Sequence, residues 1–158
     1  YESTSNCALG AYCAISQVDG LGLNVESRSL VIPYTEVIDD TGLNPACVAN
    51  DKIAPPGFPG DGFEGVSWIS TVGGTSFDWG LLDQRFVHPQ QYIVCWCREP
   101  YNCTDPSEYF VNMGELHVKG PFAWNISQIC GSGKDCLVTI AGYGLSVEDK
   151  MIIVEGNV

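Results

Sequence analysis

Tyr92-Ile93-Val94-Cys95-Trp96-Cys97 is the stretch that decides the fold class. A β-strand turns successive side chains to opposite faces, so Tyr92, Val94 and Trp96 share one face while Ile93, Cys95 and Cys97 share the other. Trp96 is the leading core anchor. Working outward, further short runs rich in Val, Ile, Tyr, Trp or Thr read as strands: Tyr12 to Val18, Arg28 to Tyr34, Gly65 to Val72, Glu115 to Lys119, Cys136 to Ala141 and Lys150 to Glu155. The 18 glycines and nine prolines fall between these runs, as they do in turn-punctuated β structure, and no amphipathic helical pattern stands out. The expected fold is all-β, a disulfide-stapled immunoglobulin-like sandwich followed by a partial second repeat.

One stretch breaks the rhythm. Between Asp39 and Glu64, Asp39, Asp40, Asp51 and Asp61 are interleaved with Pro45, Pro55, Pro56, Pro59, Gly57, Gly60 and Gly62. This reads as a long loop insertion, about residues 36 to 64, held to the sandwich through Cys47.

Eight cysteines in 158 residues fit an oxidised framework outside the cell or in the secretory pathway. Their spacing suggests four bridges, Cys7 to Cys13, Cys47 to Cys95, Cys97 to Cys103 and Cys130 to Cys136, out of on the order of a hundred possible pairings. Asn102-Cys103-Thr104 and Asn125-Ile126-Ser127 are acceptors for N-linked glycans. A net charge of −12 argues against nucleic acid and anionic membrane surfaces as partners. No apolar stretch approaches the roughly 18 residues of a membrane helix. The opening at Tyr1, with neither a charged nor an apolar leader region, reads as a mature or excised piece of a secreted protein.

The two ends of the chain resemble each other. Cys7-Ala8-Leu9-Gly10-Ala11-Tyr12-Cys13 matches Cys130-Gly131-Ser132-Gly133-Lys134-Asp135-Cys136, with both cysteines and the central glycine in register. An apolar strand follows in each, then a Gly-x-Gly-Leu turn (Gly20, Gly22, Leu23 against Gly142, Gly144, Leu145), then Leu30-Val31-Ile32 against Ile152-Ile153-Val154. One residue is inserted between Cys13 and Gly20. The period of about 122 residues suits one β-sandwich domain. Residues 1–120 then form one repeat, and residues 121–158 only the opening third of a second.

A third of a sandwich cannot bury its own apolar face, and free strand edges invite pairing. The segment Trp124 to Val158 is therefore expected to complete a neighbouring domain or subunit, in a tandem array or a head-to-tail homo-oligomer or filament. Leu137, Val138, Ile140, Ile152, Ile153 and Val154 are the expected interface.

The run Tyr92 to Cys97, then Cys103, then Gly114-Glu115-Leu116-His117-Val118-Lys119-Gly120-Pro121, then Cys-x5-Cys and Gly-x-Gly-Leu, resembles the cysteine-rich immunoglobulin-like modules repeated in giant secreted proteins of alveolate protists. The Gly-Pro joint before an apolar strand and Gly-x-Gly-Leu is also similar to the start of IPT/TIG-type domains. The likeness covers Tyr92 to Val158, and Cys7 to Ile32 through the repeat; Pro33 to Pro89 lies outside it. It implies adhesive or structural roles at the cell surface, as in the protomer of an extracellular fibril, with no catalytic residues to transfer.

Residue by residue, chemistry finds little footing. His88 and His117 are the only histidines; His117 alternates with Leu116 and Val118 and is expected to face solvent. No Gly-x-Ser-x-Gly elbow or Cys-x2-Cys pair occurs, which leaves neither a nucleophile motif nor a zinc site. Gly131-Ser132-Gly133-Lys134 lacks the flanking residues of a phosphate loop. An enzyme is not expected, nor a cofactor. Calcium clipped by Asp39, Asp40, Asp61 and Glu64 is a minor alternative without EF-hand spacing. The competing function is a carbohydrate-binding module stacking sugars on Trp68, Phe77 and Trp79.

Overall fold

In the computed structural model, residues 3–34, 47–48, 54–61, 64–68, 73–97, 101–122 and 128–155 are described. They form seven strands: β1 Ser3–Ala8, β2 Tyr12–Ser16, β3 Arg28–Pro33, β4 Ser76–Leu81, β5 Gln91–Cys97, β6 Val111–Pro121 and β7 Gly142–Tyr143. A 3-10 turn lies at Pro106–Glu108. The chain is thus nearly all-β, with two sheets and four disulfides.

The larger sheet runs β1-β6-β5-β3, with β7 added to the far end of β6, and β2 pairs with β4 in a second sheet. β6 lies antiparallel to β5, β5 antiparallel to β3, and β1 parallel to β6 from Ser3↔Gly114 to Ala8↔Lys119. Parallel neighbours need a long crossover. Here everything from β2 to β5 supplies it.

Side-chain alternation along β5 sorts the core in two. Tyr92, Val94 and Trp96 join Val31 of β3, Leu116 and Val118 of β6, Cys13 and Ile15 of β2, and Phe77 and Trp79 of β4 in the cluster between the sheets. Ile93, Cys95 and Cys97 point the other way, into a second cluster with Leu30, Ile32, Cys47, Val66, Cys103 and Tyr109. Both faces of β5 are dry; on the outer one Cys47 of the expected loop insertion, tied to Cys95, packs in one cluster with Val66, Cys103 and Tyr109. Phe58 of the same loop reaches the inner cluster, edge-on to Trp79 and Tyr92.

The strands expected at Tyr12, Arg28, Tyr92 and Glu115 are present, the last extended at both ends. Val66 and Trp68 make only single bridges, to Leu30 and Asp78, and residues 69–72 lie outside the described set. Ser3–Ala8 and Ser76–Leu81 were not expected: STSNCA is too polar and SFDWGL carries a glycine, so pairing, not composition, makes them strands. Cys136 to Ala141 and Lys150 to Glu155 form no strand, which corrects that expectation. A strand needs a ladder of main-chain bonds, and of these two runs only Ala141, which accepts the Phe122 N–H, has a main-chain bond to a neighbouring strand segment among the described residues.

Candidate interaction surface

All eight cysteines are bridged, Cys7–Cys13, Cys47–Cys95, Cys97–Cys103 and Cys130–Cys136, the four pairs that the spacing suggests. Four bridges without a free thiol fit an oxidising, secretory environment. No helix among the described residues is long and apolar enough to cross a membrane.

The outstanding surface is the C-terminal segment, residues 128–155. It touches the sheet through β7, where Tyr143 pairs with Gly120 and Gly142 with Pro121, and through the Phe122 N–H donated to Ala141 O at 2.9 Å. Gly142 is required there, since a Cβ would run into the carbonyl oxygen of Gly120. The Tyr143 hydroxyl meets His117 Nδ1, and His117 Nε2 faces Glu115 Oε2. His117 is therefore half-buried and partnered, not the solvent-facing residue expected from its alternation. A cleft of about 800 Å³ separates the segment from the rest, walled by Leu9, Lys119 and Pro121 on one side and Ile140, Leu145 and Ile152 on the other.

Beyond that joint the apolar side chains stand in solvent. Ile152, Ile153 and Val154 are 82, 83 and 70 % exposed, whereas their repeat counterparts Leu30, Val31 and Ile32 are 0, 0 and 4 % exposed. The counterparts are covered because β3 lies on β5 and between two clusters. Leu137 is exposed too, while Val138 and Ile140 are half-buried. Ile129 and Val147, both almost fully exposed, extend the apolar set beyond the residues picked from the sequence. Trp124 and Asn125 lie outside the described residues.

The aromatic trio proposed for sugar stacking is not a surface. Phe77 and Trp79 are fully buried, and the Trp79 indole N–H donates to Gly65 O at 2.9 Å. Their positions alternate inward on β4, which the sequence concealed because that strand was not recognised. Only Trp68 is open, at 45 %.

Asn102 sits exposed in the small loop closed by Cys97–Cys103. Glu108 Oε2 accepts the Thr104 and Asp105 N–H groups, and the Tyr109 hydroxyl donates to Cys103 O, so the residues that follow Asn102 are tied down by hydrogen bonds. Among the described residues no group of three or more His, Cys, Asp or Glu side chains is placed to hold a metal. Asp61 pairs with Arg28 at 3.1 Å, and Glu64 Oε1 accepts from the Gly57 N–H at 3.4 Å; Asp39 and Asp40 lie outside the described set.

Compared with known protein families, characterised proteins and solved structures, the chain finds no match.

Proposed function

We propose that this chain is an extracellular, N-glycosylated structural or adhesive module, non-catalytic, that packs head to tail with units of its own kind in a filament or tandem array. The carrying observation is the inversion between repeats: Leu30, Val31 and Ile32 are core, and Ile152, Ile153 and Val154, matched to them, stand in water. Burying four such side chains stabilises a contact by roughly 6–12 kcal/mol before ordering costs. In the first repeat the covering role falls to β4, β5 and β6, so strands of that kind are the natural cover for the second.

An immunoglobulin-like reading of residues 1–120 is supported by the β1-β6-β5-β3 sheet, with its parallel terminal pair, against β2-β4. It is supported again by Tyr92, whose hydroxyl donates to His88 O four residues upstream, as the corner tyrosine of that fold does. The bridges depart from that pattern, since Cys95 reaches a loop cysteine instead of the opposite sheet.

Sedimentation velocity and negative-stain electron microscopy of the oxidised, glycosylated chain test the association. Oligomers or filaments that disappear in an Ile152→Asp, Ile153→Asp double variant are expected. A chain that stays monomeric at all concentrations, or one whose association ignores those substitutions, overturns the association between copies.

A further inference from the structure

The turn that docks the C-terminal segment has a twin whose tip stands in solvent. Gly142-Tyr143-Gly144-Leu145 matches Gly20-Leu21-Gly22-Leu23 in sequence. It matches in backbone as well: the second glycine of each turn is left-handed, with φ +63° at Gly144 and +83° at Gly22, and the first glycine of each is not.

Their surroundings differ. At the C-terminal turn Tyr143 pairs with Gly120 and packs its ring 5.8 Å from that of His117, and a Cβ on Gly144 would meet Lys119 Cγ at 2.7 Å. At the N-terminal turn Leu21, in the place of Tyr143, is 98 % exposed, and a Cβ on Gly22 would meet nothing within 4 Å. Leu21 borders a groove of about 820 Å³ shared with Leu23, Val111 and Trp96. Trp96 is nine-tenths buried, yet its indole N–H has no hydrogen-bond partner.

We propose that the Gly20–Leu21–Gly22 turn and this groove receive the end of β6, Lys119 to Pro121, of a preceding first-repeat unit in a tandem array, the turn standing where β7 stands against β6 within this chain. The model for the contact is within the molecule, in the way Lys119, Gly120 and Pro121 receive Gly142, Tyr143 and Gly144. Leu21 takes the place of Tyr143 against the preceding unit's β6. The inference rests on the head-to-tail reading and assigns the face by which each unit meets the one before it.

The test is a tandem protein in which residues 1–123 precede the intact chain, so that the second copy's Tyr1 replaces Trp124. Leu21→Asp is placed in one copy at a time, and cleavage between the copies by a dilute protease is timed. Leu21 is exposed, so the substitution leaves each unit folded, which circular dichroism verifies. Leu21→Asp in the second copy is expected to speed cleavage about tenfold, and in the first copy to change nothing. Equal effects from the two copies, or none from either, overturn the proposal. Because the copies are covalently joined, the outcome is independent of whether separate chains associate, and the two readings fail separately.

Discussion

The Tyr143 hydroxyl lies 2.6 Å from Nδ1 of His117, twenty-six residues away, and so fastens the C-terminal segment to β6. His117 Nε2 stands 3.3 Å from Glu115 Oε2. A neutral imidazole that donates from Nε2 to the carboxylate must accept at Nδ1, which makes Tyr143 the donor.

Tyr143→Phe removes that hydroxyl and keeps the ring. The expected result is a local loosening of about 1 kcal/mol. Hydrogen exchange at the Phe122 amide, donated to Ala141 O, should quicken several-fold while amides of β5 stay unchanged. Equal quickening in β5 would show that the joint is part of the core and not an attachment to it.

The disulfides should differ in weight by what they close. Cys47–Cys95 spans 48 residues and Cys97–Cys103 only six. On the chain-entropy account, replacing the first pair by serine costs about 4 kcal/mol and the second about 2 kcal/mol. Cys130–Cys136 lies outside both core clusters, so its removal should leave the urea midpoint of the two-sheet core in place. A midpoint that falls as far for Cys130–Cys136 as for Cys47–Cys95 contradicts this ranking.

What was legible in the sequence follows from what each residue needs. The alternation of Tyr92 to Cys97 holds in the structure because both its rows are buried, so every position is constrained. Ser3–Ala8 escaped notice because a parallel edge strand is held by main-chain bonds to β6, to which its polar side chains contribute little. Phe77 and Trp79 were misplaced for a related reason: the glycines around them suggested a loop, while their burial depends on Phe58 and Gly65 of a distant segment. The repeat exposed the C-terminal segment as a surface of interest, yet Tyr143, Leu21 and the unpaired Trp96 indole emerge only when the two copies are compared in space.

Trp79 and Trp68 give a direct test of that correction. Trp79→Ala empties a site enclosed by Phe58 and Gly65 and should cost about 3–5 kcal/mol in urea denaturation. Trp68→Ala removes a half-open side chain and should cost no more than about 1 kcal/mol. Glycan arrays should show no binding that depends on Trp79 apart from loss of the fold.

Two of the seven tyrosines should make the fold sensitive to alkali. Burial pushes the phenols of both Tyr92 and Tyr109 above their ordinary value of 10.0, since ionising either would place a charge in the core. In the unfolded chain both titrate near 10. Below that pH their contribution is complete. Above it the unfolded state loses protons that the folded state retains, so stability falls with rising pH until the folded-state values are passed. Tyrosinate absorbance from Tyr92 and Tyr109 should therefore appear together with the loss of near-ultraviolet circular dichroism. Tyr92→Phe keeps the ring in the core but removes both the ionisable group and the bond to His88 O. It should cost about 1 kcal/mol at neutral pH and flatten the alkaline decline. An unchanged decline would mean that ionisation of other groups drives the alkaline transition.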